Sequence, residues 1–369
     1  MKTHFLNADN YPGQSQQETD KLQEQLDTIV NDDCETDIFS LLSGYKRILA
    51  DNSMRSRWET IYPKLDVLFK CGSYAPLDGP MFGVTMNLRD SDLLKDVAAG
   101  CGKDRSALAQ LEVLASSWNA TFAQSTLWTG KTFESIKKDT LKDVLENRDK
   151  AFTKYNNEAT RVGRNFFRHP IDPNPLEAAG LPLLSVLWNL KDRPVSTNEK
   201  GFLSTLSLKH LESEKVIPYQ KTGGYFLATG SRSVLSILNG KNVYQLDYRW
   251  GALRARFPMT NLIDELVKID EGIYLGQLVL ATKNFSVGTV EIPLPGDKSK
   301  IFSFGREYDP FDDREGLVEK IIETFTGDND EAVDYGYQHN GYFLMLEPAF
   351  ADRIFAEDAF PELQPVDGR

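Results

Sequence analysis

The chain has little cysteine, little histidine and no long apolar run. Its three cysteines, Cys34, Cys71 and Cys101, are odd in number and widely spaced, and they form neither a Cys-x-x-Cys pair nor a disulfide framework. They read as free thiols of a reducing compartment, so a cytoplasmic location is expected. No apolar stretch approaches the ~18 residues that a membrane-spanning helix needs. The first residues, Met1-Lys2-Thr3-His4-Phe5-Leu6-Asn7, lack the apolar core of a secretory signal. Basic charge is the minority sign, with 42 Lys and Arg against 54 Asp and Glu and a formal net charge of -12. That balance argues against nucleic-acid binding, which needs a dominant basic face, and against simple attachment to anionic lipid.

The common chemical signatures are missing as well. There is no Gly-x-Ser-x-Gly, no His-Glu-x-x-His and no Gly-x-Gly-x-x-Gly. Gly102-Lys103-Asp104 and Gly130-Lys131-Thr132 each resemble the end of a phosphate-binding loop. Neither has the first glycine at the required position, and Asp104 also replaces the hydroxyl residue. Both lysines therefore read as surface residues in loops. Acidic knots at Asp309, Asp312, Asp313 and Glu315 and at Asp328, Asp330, Glu331 and Asp334 are dense enough for Ca²⁺ or Mg²⁺. They lack EF-hand spacing, and Asp312 and Asp313 sit where a helix N-terminus favours negative charge. No metal and no cofactor are expected.

What is present is ordinary for a globular protein with a large core: 369 residues, 41% hydrophobic and 26% charged. That length suits one large domain or two ordinary ones. Residues 1–200 read as mainly α-helical. Leu22, Leu26, Ile29 and Val30 recur at helical spacing, and Thr36 or Asp37 can cap a second helix running from Ile38 to Leu49. A third helix is expected over Arg57–Leu68, interrupted or begun at Pro63, and further helices over 106–122 and 133–155. Arg161, Arg164 and Arg168, spaced by three and four, place another helix over Ala159–Arg168. Met81–Leu88 reads as an isolated strand, with Phe82, Val84, Met86 and Leu88 on one face.

Residues 201–369 read as an antiparallel meander with a late helix near 313–325. Asn239-Gly240, between Ser233–Leu238 and Lys241–Tyr248, is a hairpin signal, because a type I′ turn needs φ > 0 at both central residues. Asp270-Glu271-Gly272 joins Leu262–Ile269 to Ile273–Thr282 in a second hairpin. In Ile273–Thr282 both faces are apolar, with Tyr274, Gly276, Leu278 and Leu280 on one and Ile273, Leu275 and Val279 on the other. Such a strand must be covered on both sides. Further strands are expected at Gly223–Thr229, Ser286–Pro293, Lys300–Phe304 and Gly341–Leu346.

Seven or eight strands joined mainly by short loops favour a closed up-and-down barrel or a strongly curled sheet. The fold class expected is α+β, a helical N-terminal half packed on a C-terminal barrel. In architecture the meander is similar to calycin-type ligand-binding barrels, without the Gly-x-Trp signature of a typical lipocalin. That resemblance implies a cavity for one small, lipid-like or aromatic molecule.

Arg249, Trp250, Arg254 and Arg256 lie in the meander beside Tyr244, with Tyr274 further along. Guanidinium groups stack on aromatic faces and grip carboxylates or phosphates, so an anionic head group on a largely apolar ligand is the leading expectation. The alternative is a cofactor-independent isomerase, cyclase or hydro-lyase. If Asp334–Asn340 is extended, Tyr335, Tyr337 and His339 share one face, and an imidazole beside phenols suits acid–base work. A third class is a protein-interaction module docking a partner on its helical half. The sequence leaves the oligomeric state open.

Overall fold

Eight strands of the chain each hydrogen-bond to the next of the eight, and the last returns to the first. The computed structural model describes residues 4–34, 36–88, 127–169, 181–182, 184–186, 188–193, 210, 212–253, 255, 259, 262–281, 290–294, 297–304, 337–356 and 359–364. The strands among them are β1 (Gly79–Leu88), β2 (Trp128–Ser135), β3 (Arg161–Phe167), β4 (Lys191–Asp192), β5 (Lys221–Arg232), β6 (Asn242–Asp247), β7 (Leu262–Asp270), β8 (Ile273–Ala281), β9 (Val290–Leu294), β10 (Asp297–Phe304) and β11 (Tyr337–Leu346). Eight of these, β1, β2, β3, β5, β6, β7, β8 and β11, form a closed antiparallel barrel in which sequence neighbours are spatial neighbours. Closure comes where β11 pairs with β1, Leu344 opposite Val84. The short β4 adds to the start of β5, and β9 and β10 pair as a separate hairpin. A closed barrel leaves no long unpaired edge, which removes the commonest route to edge-to-edge aggregation.

The helices are α1 (Gln16–Thr28), α2 (Ile38–Ala50), α3 (Arg55–Cys71), α4 (Lys138–Val144), α5 (Asp149–Tyr155) and α6 (Ala351–Ala356). Ser15 and Glu18 form a reciprocal capping box on α1, and Asp37 accepts a hydrogen bond from the Ser40 backbone at the start of α2. These bonds satisfy amide groups that a helix leaves open at its N-terminus. Pro63 sits inside α3, which runs through it to Cys71.

The two barrel faces explain why so many strands lack polar alternation. Phe82, Val84, Met86, Ile263, Val267, Ile273, Leu275, Val279 and Leu344 point outward and pack with Leu22, Leu26, Phe39, Leu42, Leu65 and Leu68 of α1–α3. Met81, Phe133, Phe226, Tyr244, Leu246, Tyr248, Leu266, Leu278 and Phe343 point inward and form a second cluster. A third cluster covers the outer side of β5 with Leu141 and Val144 of α4 and Ala151 and Tyr155 of α5. The inward and outward sets of β6 and β8 are the ones their alternation predicts.

Both predicted turns are present. Asn239 and Gly240 have φ of 49° and 70°, and the Lys241 amide donates to the Leu238 carbonyl across them at 2.9 Å. Gly272 takes the left-handed position, at φ 68°, after a bulge that opposes Asp270 to Ile273.

Four expectations need correction. Met81–Leu88 lies within β1, which is not isolated, because it pairs with both β2 and β11. Residues 161–167 are not helical; they are β3, paired with β2 and β5. Arg164 of this strand is almost fully buried against Glu214. Residues 133–155 divide among the end of β2, α4 and α5. Ser233–Leu238 is a connector containing one 3-10 turn, Ser236–Leu238, and not a strand. The barrel thus draws three strands from before residue 200. The helices expected at 106–122 and 313–325, and both acidic knots, lie outside the described residues.

Candidate functional site

The barrel interior is aromatic and aliphatic around a charged centre. Lys131 of β2 and Asp264 of β7 point at each other across it, with Nζ 2.9 Å from Oδ2 and both side chains at most 5% exposed. β2 carries an irregularity between Trp128 and Gly130. The break in period brings Trp128 to the same inward side as Lys131 and Phe133. On β7 the pleat turns Leu262, Asp264 and Leu266 inward and Ile263, Glu265 and Val267 outward.

Two further polar side chains complete the centre. Lys131 Nζ donates to Asn165 Oδ1 at 2.6 Å and to the Tyr248 hydroxyl at 2.7 Å. Tyr248 donates in turn to Asp264 Oδ2 at 2.9 Å. Asn165 Oδ1 also accepts from Trp128 Nε1 at 3.1 Å, and Asn165 Nδ2 donates to the Gly224 carbonyl at 2.8 Å. All three ammonium protons of Lys131 therefore have protein acceptors. Asp264 is different: its second oxygen, Oδ1, is buried and has no hydrogen-bond partner among the described residues.

Four rings surround the ammonium. The centroids of Trp128, Phe226, Tyr248 and Phe343 lie 5.1, 5.2, 5.5 and 5.8 Å from Lys131 Nζ. Aromatic faces attract a cation, and more strongly when water is excluded. Trp188 stacks on Tyr248 with centroids 5.7 Å apart. It arrives from outside the barrel strands, where its carbonyl accepts from the Gly224 amide at 3.3 Å. Burial pushes the Lys131 ammonium below the ordinary lysine range, and the Asp264 carboxylate opposes that fall. Burial, followed by the neighbouring Asp264 charge, holds the Tyr248 phenol well above its ordinary value, so it remains a proton donor.

A cavity of about 40 Å³ adjoins this centre, lined by Thr85, Trp128, Lys131, Asn165, Trp188, Tyr248, Leu262, Asp264, Leu278 and Phe343. By the volume one water needs, it has room for about three, or for a molecule of a few heavy atoms. Chemically, it offers apolar walls, one unpartnered carboxylate oxygen, a primary amine and a phenol within a few ångströms of one another.

The residues singled out by sequence reasoning fall elsewhere. Arg249 Nε pairs with Asp247 at 2.9 Å, on the outer side of β6. Trp250 packs outside the barrel, edge-on to Tyr155 with centroids 5.7 Å apart. Arg254 and Arg256 lie outside the described residues. Tyr244 and Tyr274 do point inward, but neither lines the cavity; the Tyr244 hydroxyl donates to the Ala159 carbonyl at 2.9 Å. His339 pairs with Val279, whose side chain faces the helices. Its ring lies 4.4 Å from that of Tyr342, also outward, whose hydroxyl bonds Asp66 of α3. Tyr337 occupies the first position of β11, opposite Ala281, and Tyr335 lies outside the described residues. None of the expected site residues whose side chains are described lines this cavity.

Lys131, Asp264, Asn165 and Tyr248 escaped notice for a common reason. Lys131 sits in a Gly-Lys-Thr triplet that reads as a loop, and each of the other three stands next to a charged residue, Arg164, Asp247 or Glu265, that faces the other way. The usable signal was Asp264, placed between Leu262 and Leu266 on the same side of its strand. Among the described residues no group of three or more His, Cys, Asp or Glu side chains is arranged to hold a metal ion, and no helix is long and apolar enough to cross a membrane. Comparison with protein-family models, with curated proteins and with solved structures finds no match.

Proposed function

We propose that the barrel interior binds a small, uncharged, largely apolar molecule whose hydroxyl is held by the Lys131–Asp264 centre. The observation that carries this is the unpartnered Oδ1 of Asp264, buried beside a cavity with aromatic walls. A buried carboxylate oxygen lacking a donor is costly, and a ligand hydroxyl supplies that donor while its carbon chain meets Trp128, Leu278 and Phe343. An anionic group fits poorly at that oxygen, since like charges repel at short range in a low-dielectric interior. The lysine protons that would attract an anion are already taken by Asn165, Tyr248 and Asp264. Arg249, which motivated an anionic head group, is occupied by Asp247. A lipid chain also exceeds the room available.

The test uses two tryptophans of the cavity wall, Trp128 and Trp188, as reporters. Titration of the full chain with 1-butanol should give a saturable change in tryptophan fluorescence, whereas butyrate should give none. Leu278→Phe, which fills the cavity, should abolish the butanol response while leaving the circular dichroism unchanged. A linear, unsaturable response, or the same response in Leu278→Phe, would overturn the proposal. Tighter binding of butyrate than of butanol would return the preference to anions.

A further inference from the structure

We propose that Lys131 condenses with a small aldehyde or ketone held in the barrel cavity, forming a covalent imine. The inference rests on the cavity-binding reading above and names the substrate class that the centre suits. Three features of the geometry point to it. Lys131 is a primary amine on the cavity wall, enclosed by four aromatic rings and almost fully buried. Its immediate neighbours are a carboxylate at 2.9 Å and a phenol at 2.7 Å, groups able to take and return a proton. The adjoining space suits a compound of a few heavy atoms. A lysine desolvated in an apolar pocket is a recognised form of activated amine nucleophile, and the depressed basicity of Lys131 is consistent with that role.

The step balances without any further reactant. The ammonium of Lys131 passes one proton to Asp264 Oδ2. The freed Nζ lone pair forms a bond to the carbonyl carbon, and the C=O π bond breaks towards oxygen. That oxygen takes a proton from the Tyr248–Asp264 pair to give a carbinolamine, whose hydroxyl can donate to Asp264 Oδ1. The nitrogen, now bonded to carbon and still carrying two protons, passes one of them through Asp264 to the hydroxyl; the C–O bond breaks, one water leaves, and the lone pair so freed on nitrogen closes the C=N bond. Ammonium plus carbonyl compound becomes protonated imine plus water. The positive charge stays on Nζ beside Asp264, so the buried pair is electrically intact before and after.

A structural role alone explains the centre less well. Replacing a buried ion pair by apolar groups of similar volume is often neutral or stabilising. A barrel of this kind could close around a purely apolar interior. The lysine, the phenol and the half-satisfied carboxylate are instead gathered beside the cavity.

The experiment uses the full chain, propanal and sodium cyanoborohydride, which reduces an imine to a stable secondary amine. Peptide mapping by mass spectrometry should find a propyl group on Lys131. At neutral pH Lys131 should be modified faster than the exposed Lys215. Added 1-butanol should protect Lys131 and leave Lys215 unaffected. If Lys215 is modified and Lys131 is not, while butanol still perturbs the tryptophans, the imine is wrong and the binding reading stands. If neither butanol nor propanal perturbs the tryptophans and Lys131 is unmodified, both fall. Because the mapping is done on the unmodified sequence, the result does not depend on whether a Lys131 variant folds.

Discussion

The Lys131–Asp264 pair makes a quantitative claim about what the barrel centre is for, and two variants test it. Lys131→Met removes the ammonium and leaves the Asp264 carboxylate buried, with only the Tyr248 hydroxyl donating to it at 2.9 Å. Removing one partner of a buried pair typically costs about 3–5 kcal/mol, because the other charge is stranded. The Trp128 indole still donates to Asn165 and Asn165 still reaches the Gly224 carbonyl, so damage to the rest of the network is limited. In Lys131→Met/Asp264→Leu neither charge remains. Only the Tyr248 hydroxyl loses its acceptor, and the Asn165 amide lies 3.4 Å from it. One imperfectly bonded hydroxyl costs roughly 1–3 kcal/mol, offset by the apolar contacts that the new Met and Leu make. The double variant should therefore lie within about 1–2 kcal/mol of wild type and well above the single one, a coupling of several kcal/mol. Urea unfolding followed by far-ultraviolet circular dichroism, extrapolated linearly, measures both. A double variant as unstable as Lys131→Met would refute the reasoning. The pair would then be a structural keystone, and its value to a ligand would lose its main support.

Two further perturbations follow from the rest of the molecule. Gly240→Val should cost on the order of 1–2 kcal/mol, since the added Cβ finds Arg232 Cδ at a comfortable 3.5 Å and the whole penalty is the left-handed backbone; an unchanged unfolding midpoint would show the turn to be dispensable. Lys241 donates to the carbonyls of Asn10, Lys70 and Gly72 at 3.1, 2.8 and 2.7 Å, and burial draws its pKa down to about 8. An unfolded lysine titrates near ~10.4, so between about 8 and 10.4 the unfolded chain binds more protons and this residue makes stability rise with pH, by up to about 3 kcal/mol. Burial pushes the Cys71 thiol up to about 12, which acts in the opposite sense over part of that range. The quantity to measure is therefore the difference between wild type and Lys241→Met from pH 7 to 10.5, and parallel curves would rule the effect out.

How much of the fold could be read from the sequence depends on which face of each strand carries the information. β1, β6 and β8 were legible because their alternation separates two sets of side chains, and the apolar members of each set went to the cluster that alternation predicts. β3 was not. The spacing of Arg161, Arg164 and Arg168 puts them on one side of a helix, yet the segment is a strand, Arg164 and Arg168 are both buried, and Arg164 pairs with Glu214, to which Tyr219 donates at 3.0 Å. A buried arginine inverts the usual reading of charge spacing, because its partner comes from elsewhere in the chain. Local propensity spoke for a strand: Val162, Phe166 and Phe167 favour one, and Gly163 costs about 1 kcal/mol in a helix interior. The Ser233–Leu238 connector misled for a related reason. Its first two residues are held by Glu265 on the outer face of β7, which accepts from Ser233 Oγ at 2.6 Å and from the Val234 amide at 2.7 Å.

The site was harder to read because it exists only in the register between strands far apart in sequence. The helices and connectors cover the outside of the barrel, so an imidazole or guanidinium on a strand finds partners there, as Arg164 finds Glu214 and His339 finds the Tyr342 ring. His339 shows how small the margin is. Counting in twos from Tyr335 put it on a chosen face, but an irregularity between His339 and Gly341 separates its side from the one that Phe343 and Met345 occupy. A one-residue slip exchanges inside for outside, and no sequence count detects a bulge it has not assumed. Lys131 is the converse case. The irregularity beside Gly130 gathers Trp128, Lys131 and Phe133 on one side, where strict alternation would separate Trp128 from the other two. The charge that such a slip carries inward must be neutralised across the barrel, and Asp264, between two inward leucines, is the residue in position to do it. An acidic residue on the apolar face of one strand and a basic residue beside a glycine on another therefore form a joint signal. Either alone reads as a surface group; together they specify a register in which the two must meet.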